Sequence, residues 1–184
     1  SVKLCNTNSF YESIAINNTE LGKKYTAYTF NNTDINKVEY SNVTSISYSS
    51  FSGCTSLKSI NIPYSVTSIG ENAFYKCSGL TSFNIPDSVE TNGKESFYGC
   101  SSLTSVTIGS GVTNITNFAF GQCKSLTHIE IPNSVTIIDV NAFYGCESLI
   151  SVTIPDSVTT IGGSAFGYCT SLISVTILDS VTYI

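Results

Sequence analysis

Apolar residues return along this chain every 23 positions. Phe51, Phe74, Phe97, Phe120, Phe143 and Phe166 form one series, and Cys54, Cys77, Cys100, Cys123, Cys146 and Cys169 a second. Leu57, Leu80, Leu103, Leu126, Leu149 and Leu172 form a third. Val43, Val66, Val89, Val112, Val135, Val158 and Val181 form a fourth. Several registers locked to one period define a repeat architecture before any single element is assigned. Six full units run 43–65, 66–88, 89–111, 112–134, 135–157 and 158–180, and a seventh starts at Val181 and reaches Ile184.

Within a unit, Leu57-Lys58-Ser59-Ile60-Asn61-Ile62 reads L-x-x-I-x-I, and its end alternates apolar and polar as a half-buried strand does. Pro63, Pro86, Pro132 and Pro155 follow that strand; proline cannot donate to a ladder and opens a turn. Val66-Thr67-Ser68-Ile69-Gly70 alternates again and predicts a second, shorter strand. Ala73-Phe74-Tyr75-Lys76-Cys77 places Ala, Phe and Cys inward over one helical turn, with Phe and Cys three apart. The predicted fold is an α/β repeat solenoid: parallel strands, short strands and short helical turns, with coil-on-coil stacking supplying the core that no unit can build alone. Asn92 takes a slot held elsewhere by Ile46, Ile69, Ile115, Ile138 and Ile161, which predicts a weak rung in the third unit.

The run from Ser65 to Pro86, S-V-T-S-I-G-x-x-A-F-x-x-C-x-x-L-x-x-F-x-I-P, resembles the BspA-type leucine-rich repeats, with Phe83 in one Ile slot. The resemblance covers residues 43–184. It implies a curved right-handed solenoid with the long strands lining the concave face. It also implies surface or secreted proteins of host-associated bacteria and parasitic protists, used for adhesion and host contact. The family has no catalytic residues to carry over.

Residues 1–42 fit the period poorly and read as an N-terminal cap with a degenerate repeat that shields the first coil. Ile35-Asn36-Lys37-Val38-Glu39-Tyr40 still matches the strand pattern, and 24–30 is a further candidate strand. At the other end, the last coil is expected to expose Phe166, Cys169, Leu172, Val175 and Ile177, a layer for further repeats or for self-association. A chain that begins at Ser1 and holds no Met reads as processed or trimmed.

Composition narrows the function. Only 11% of the 184 residues are charged, under half the usual share of about 25%. A net charge of −5 argues against a nucleic-acid partner, because phosphates need a Lys/Arg footprint. No stretch approaches the roughly 18 apolar residues of a transmembrane helix, so no membrane insertion is expected.

The cysteine series lies in an interior slot, with neither a C-x-x-C pair nor a histidine cluster, so buried free thiols acting as small apolar residues are expected, and no metal or other cofactor. Cys5 stands outside the series. The predicted long strands present an outward stripe: Ser59, Asn61, Ser82, Asn84, Ser105, Thr107, His128, Glu130, Ser151, Thr153, Ser174 and Thr176. His128 is the single histidine and lies two residues from Glu130, on the same face. An acid/base reading of the pair lacks a nucleophile, a second carboxylate and a pocket, so the two are expected to be solvated contacts and no enzyme is predicted.

Tyr75, Tyr98 and Tyr144 follow the buried Phe, with Phe118 and Tyr168 nearby, and form a candidate flank surface. The plainer reading is that these rings cover the flank and pack on one another. Asn17, Asn31, Asn42 and Asn114 head N-x-S/T sequons, candidate glycosylation sites in a secreted eukaryotic protein.

The chain is therefore expected to be a cell-surface or secreted binding or adhesion protein with a protein or surface glycoconjugate as partner. The alternative is a self-assembling filament or surface-layer protein joined through open solenoid ends. Six rungs at about 4.8 Å and strands of roughly 20 Å give a concave face of roughly 580 Å². A standard partner footprint is about 800 Å², which favours weak binding, use of the flanks, or a longer array.

Overall fold

A computed structural model describes residues 43–184 except Leu178, and the strand residues 16–17 and 24–25. The sequence-derived readings of Cys5, Asn31, Asn42 and 35–40 lie outside the described residues. The described chain is a parallel-strand β-solenoid of about six turns. Its strands are β1 (Ile16–Asn17), β2 (Lys24–Tyr25), β3 (Ser45–Ile46), β4 (Ser68–Ile69), β5 (Ser82–Asn84), β6 (Thr91–Asn92) and β7 (Ser105–Thr107). They continue with β8 (Asn114–Ile115), β9 (His128–Glu130), β10 (Ile137–Ile138), β11 (Ser151–Thr153), β12 (Thr160–Ile161) and β13 (Ser174–Thr176). β1 and β2 pair antiparallel, Ile16 opposite Tyr25; every other pairing is parallel with partners 23 residues apart.

The long strands form two groups, β5–β7 and β9–β11–β13, and the short strands two more, β3–β4–β6 and β8–β10–β12. The long-strand segment of the first coil, 57–62, carries no strand assignment. Alternation does what the pattern requires: each long strand from β5 to β11 buries its middle residue and exposes the two beside it.

The expected helical turn is not there. Among the described residues no helix occurs, so the α/β reading gives way to a β-solenoid with a third side made of turns. Over 72–77, alternate amides serve different partners. The N–H groups of Ala73, Tyr75 and Cys77 donate three residues back, to Gly70, Asn72 and Phe74, at 3.1–3.2 Å. Those of Asn72, Phe74 and Lys76 donate to Lys94, Ser96 and Tyr98 of the next coil, at 2.6–3.0 Å.

Two left-handed residues per coil make this possible. The slots are Ser49, Asn72, Glu95, Phe118, Asn141 and Ser164, and Gly53, Lys76, Gly99, Gln122, Gly145 and Tyr168, all with φ between 51° and 79°. Such a conformation costs a non-glycine residue about 1–2 kcal/mol and cannot continue a right-handed helix.

The core is a set of stacked columns. Successive Phe rings from Phe51 to Phe166 lie 5.0–5.5 Å apart with interplanar angles of 2–8°. Phe83 meets Phe74 and Phe97 edge-on at 4.8 and 4.6 Å, which explains how an aromatic fits an Ile slot. Beside the column, each thiol from Cys77 to Cys169 donates to the Phe carbonyl 26 residues earlier, at 2.9–3.3 Å. The Phe51 carbonyl thus accepts both the Cys54 amide of its own coil and the Cys77 thiol of the next.

One junction differs. Between the third and fourth coils neither β6–β8 nor β7–β9 is a bonded pair, while the turn side continues through Glu95 to Asn117, Phe97 to Ala119 and Gly99 to Gly121 at 2.8–3.0 Å. Three buried oxygens without a partner sit in the same two coils: Asn92 Oδ1, Ser96 Oγ and Asn114 Oδ1. Asn92 is 3% exposed, as its slot predicted, and Ser96, in the slot of Ala73 and Ala119, is fully buried. An orphaned buried polar group costs roughly 1–3 kcal/mol. Asn92→Ile should therefore raise the urea midpoint, with a gain of that order; a lower midpoint would show that the amide is structurally required.

Candidate binding surfaces

The outward long-strand stripe is assembled in register. His128 pairs with Ser151 and Ser151 with Ser174, while Glu130 pairs with Thr153 and Thr153 with Thr176. Ser82 stands opposite Ser105 and Asn84 opposite Thr107. All ten are exposed. Ser59 and Asn61 are also exposed but belong to the first coil, outside any strand. The interruption between β7 and β9 divides the stripe, so His128 and Glu130 border the weak junction rather than the middle of a continuous sheet.

The flank rings form an unbroken row. Tyr75 stacks on Tyr98 at 5.4 Å and 11°. Phe118 stands edge-on to Tyr98 at 5.7 Å and to Tyr144 at 5.8 Å. Tyr144 meets Tyr168 at 5.0 Å. The first four are half-buried and Tyr168 is 71% exposed. The Lys76 ammonium lies 5.1 Å from the Tyr75 ring centroid, within cation–π reach.

Two rings are out of register because the Tyr slot holds Gly121 and Gly167 in those coils. A Cβ on Gly121 would stand 2.8 Å from Tyr98 Cδ2 and 2.9 Å from Phe118 Cδ1, and one on Gly167 3.1 Å from Tyr144 Cδ2. The glycines make room for rings supplied by their neighbours. That pair of glycines was the sequence signal for a continuous row.

Asn17 lies in β1, and Asn114 lies half-buried in β8 with its amide oxygen enclosed. The Thr116 hydroxyl of the same sequon donates to the Gly93 carbonyl at 3.0 Å.

Cys77, Cys100, Cys123, Cys146 and Cys169 are free and buried. Burial pushes the Cys77 and Cys123 thiols up to about 12 and holds Cys100 well above its ordinary value. Cys146 is also raised, first by its hydrogen bond with Cys169 and then by burial. Cys54 corrects the expectation of a fully reduced series, since it is disulfide-bonded. Among the described residues, no group of three His, Cys, Asp or Glu side chains is placed to hold a metal ion.

The model of the BspA type leucine rich repeat region matches in six copies, over residues 1–103, 23–146 and 90–184. The chain belongs to this family. No curated protein matches it. Among solved structures, this BspA-type chain is similar to a leucine rich cell surface protein of Faecalibacterium prausnitzii. The two share 40% identity over 64% of this chain and 31% of that one, at a TM-score of 0.61. It is similar to the T. pallidum leucine rich repeat protein, with 32% identity over 72% of this chain and 63% of that one, at a TM-score of 0.66. A leucine-rich repeat protein from Eubacterium ventriosum shares 27% identity over 77% of this chain and 38% of that one, at a TM-score of 0.70. The BspA-type chain thus spans less than two thirds of each of these proteins. Among the described residues no helix is long and apolar enough to cross a membrane.

The thiolate is the reactive form, so neutral buried thiols react slowly. Native protein should resist a disulfide-exchange reagent at pH 8 except at Cys169, whose thiol is lowered by its hydrogen bond with Cys146, and unfolding without reductant should add the thiols of Cys77, Cys100, Cys123 and Cys146. Release of all seven thiols of the chain would show the Cys54 bridge to be absent.

Proposed function

We propose that this chain is a cell-surface or secreted binding and adhesion module that recognises a protein or a surface glycoconjugate. The observation that carries the reading is the exposed polar stripe, held in register by parallel ladders at fixed spacing. A rigid array of this kind presents contacts with little ordering cost on binding. Membership of the BspA-type family and likeness to a leucine rich cell surface protein support the surface assignment. Residues 1–42 act as the N-terminal cap in this reading, and 43–184 as the recognition solenoid.

The experiment is attachment of the immobilised chain to host cells and matrix proteins. His128 and Glu130 are the most distinctive side chains of the stripe. His128→Ala with Glu130→Ala should weaken attachment more than Ser105→Ala with Thr107→Ala. Equal affinity for both double variants would move recognition away from the long-strand face.

Self-assembly is the second reading, favoured by the last coil. Ile177 is 48% exposed there, where its counterparts Ile85, Ile108, Ile131 and Ile154 are buried, and Phe166, Leu172 and Val175 are only partly covered. Burying one large apolar side chain contributes about 1.5–3 kcal/mol, so a second chain or a further coil fits this edge. Sedimentation should show mass rising with concentration, and less so for Ile177→Glu. A monomer at all concentrations would remove the self-assembly reading.

A further inference from the structure

We propose that the row Tyr75, Tyr98, Phe118, Tyr144 and Tyr168 is a binding strip for a linear, uncharged polysaccharide. The proposal rests on the reading of the chain as a binding module and assigns it a second surface and a ligand class. Phe118 and Tyr168 are the key to it. Both occupy left-handed slots, with φ of 51° and 57°. Elsewhere the first slot holds Asn72 and Asn141 with Ser49, Glu95 and Ser164, and the second holds Gly53, Gly99 and Gly145 with Lys76 and Gln122; Gly and Asn adopt this conformation at low cost, and Phe118 and Tyr168 are the aromatic residues among the twelve. A bulky ring there is an outlier, and strain of this kind concentrates at functional surfaces.

Core packing does not call for these rings. The ring contacts of Phe118 run to Tyr98 and Tyr144 along the row, and that of Tyr168 to Tyr144. The first coil has Ser52 in the regular slot and stands outside the row; of the five coils after it, two lack a Tyr there, and each recruits a ring from a different left-handed position, one three residues earlier and one a residue later. The outcome in both cases is the same: the row stays continuous across five coils.

Shape and charge select the occupant. The row extends about 20 Å, four coil steps of roughly 4.8 Å, and is one ring wide. An aromatic side chain carries about 150–250 Å² of surface, so five mostly half-covered rings leave a few hundred Å² at most. That falls short of the roughly 800 Å² a globular partner covers, whereas a linear chain fits the strip along its length.

A peptide adding as a strand would need free backbone groups. The amides beneath the rings are already used: Tyr75, Tyr98 and Tyr144 donate to Asn72, Glu95 and Asn141, and Lys76 and Gln122 to the next coil. Beside the rings lie the amides of Asn72, Gln122 and Asn141, with Gln122 reaching across Gly145, and the carboxylate of Glu95 in the slot of Asn72 and Asn141, which disfavours a polyanion. Lys76, the cation at this flank, lies over Tyr75. A sugar chain offers apolar C–H faces for aromatic rings and hydroxyls for amides, and an uncharged one asks for no cationic row.

The test is affinity electrophoresis of the 184-residue chain through gels holding galactomannan, xyloglucan or hydroxyethyl cellulose, with heparin and hyaluronan as charged controls. At least one neutral polymer should retard the wild type. Phe118→Asn and Tyr168→Gly should each weaken that retardation at least tenfold while leaving the thermal midpoint unchanged or higher, because each installs a residue suited to its slot. Ser105→Ala with Thr107→Ala should leave the retardation unchanged. Retardation by none of the neutral polymers, by the polyanions alone, or equally in Phe118→Asn overturns the strip. If the long-strand variants alone lose binding, the strip fails and the binding-module reading stands; if the chain binds neither polysaccharide, cell nor matrix protein, both fail.

Discussion

Every coil must hand its turn-side amides to the next coil in register, because that side has neither a helix nor a regular strand to satisfy them. Alternate N–H groups of 72–77 look inward to their own turn and onward to the following coil, which requires two left-handed residues per coil. The conformational cost recurs in each coil and is offset by the amide bonds handed from coil to coil and by burial of the Phe, Leu and Val columns. The cysteine slot belongs to the same constraint. A Phe carbonyl that accepts one amide retains a lone pair facing the core, and a thiol from the next coil fills it. Alanine or valine would match the size and leave that acceptor with one partner fewer.

Much of this was legible at a period of 23. The inward residues, the coil boundaries, the outward long-strand stripe and the anomalous Asn92 all follow from slots, because stacking places equal slots in contact. The third side was not. A Phe and a Cys three residues apart suit a helical turn and a chain of single turns equally, and the choice depends on bonds to a coil 22 residues away. The local clue was the presence of Asn72, Asn141, Gly53, Gly99 and Gly145 in two slots, and it was diluted by Glu95, Phe118, Lys76 and Tyr168 in the same positions. The bridge at Cys54 was hidden for a related reason: a periodic series predicts equal rungs, and Cys54 departs from them.

The two candidate surfaces differ in how the fold treats them. The long-strand stripe costs nothing extra, since alternation exposes its residues on any such strand. The aromatic row is kept continuous against local preference at Phe118 and Tyr168. Surfaces maintained at the expense of stability are where binding and folding pull apart, and replacing those two residues separates the two demands without touching the core.

The junction between the third and fourth coils adds a mechanical consequence. Stability in a stacked array is close to a sum of coil terms and nearest-neighbour interface terms, so one weak interface in the interior divides the array instead of fraying its end. Here two of three ladders are interrupted and three oxygens are orphaned, which leaves the Phe column and the turn side to hold the halves in register. β7 with Ser105 and Thr107 lies on one side and β9 with His128 and Glu130 on the other. A ligand contacting both strands would span the interrupted junction, and its binding would tighten that interface. The aromatic row crosses the same junction on the side that remains fully bonded, through Gly99 to Gly121 and Tyr98 to Phe118. A chain lying along that row would therefore meet a continuous support, whereas one on the long-strand face would meet a seam.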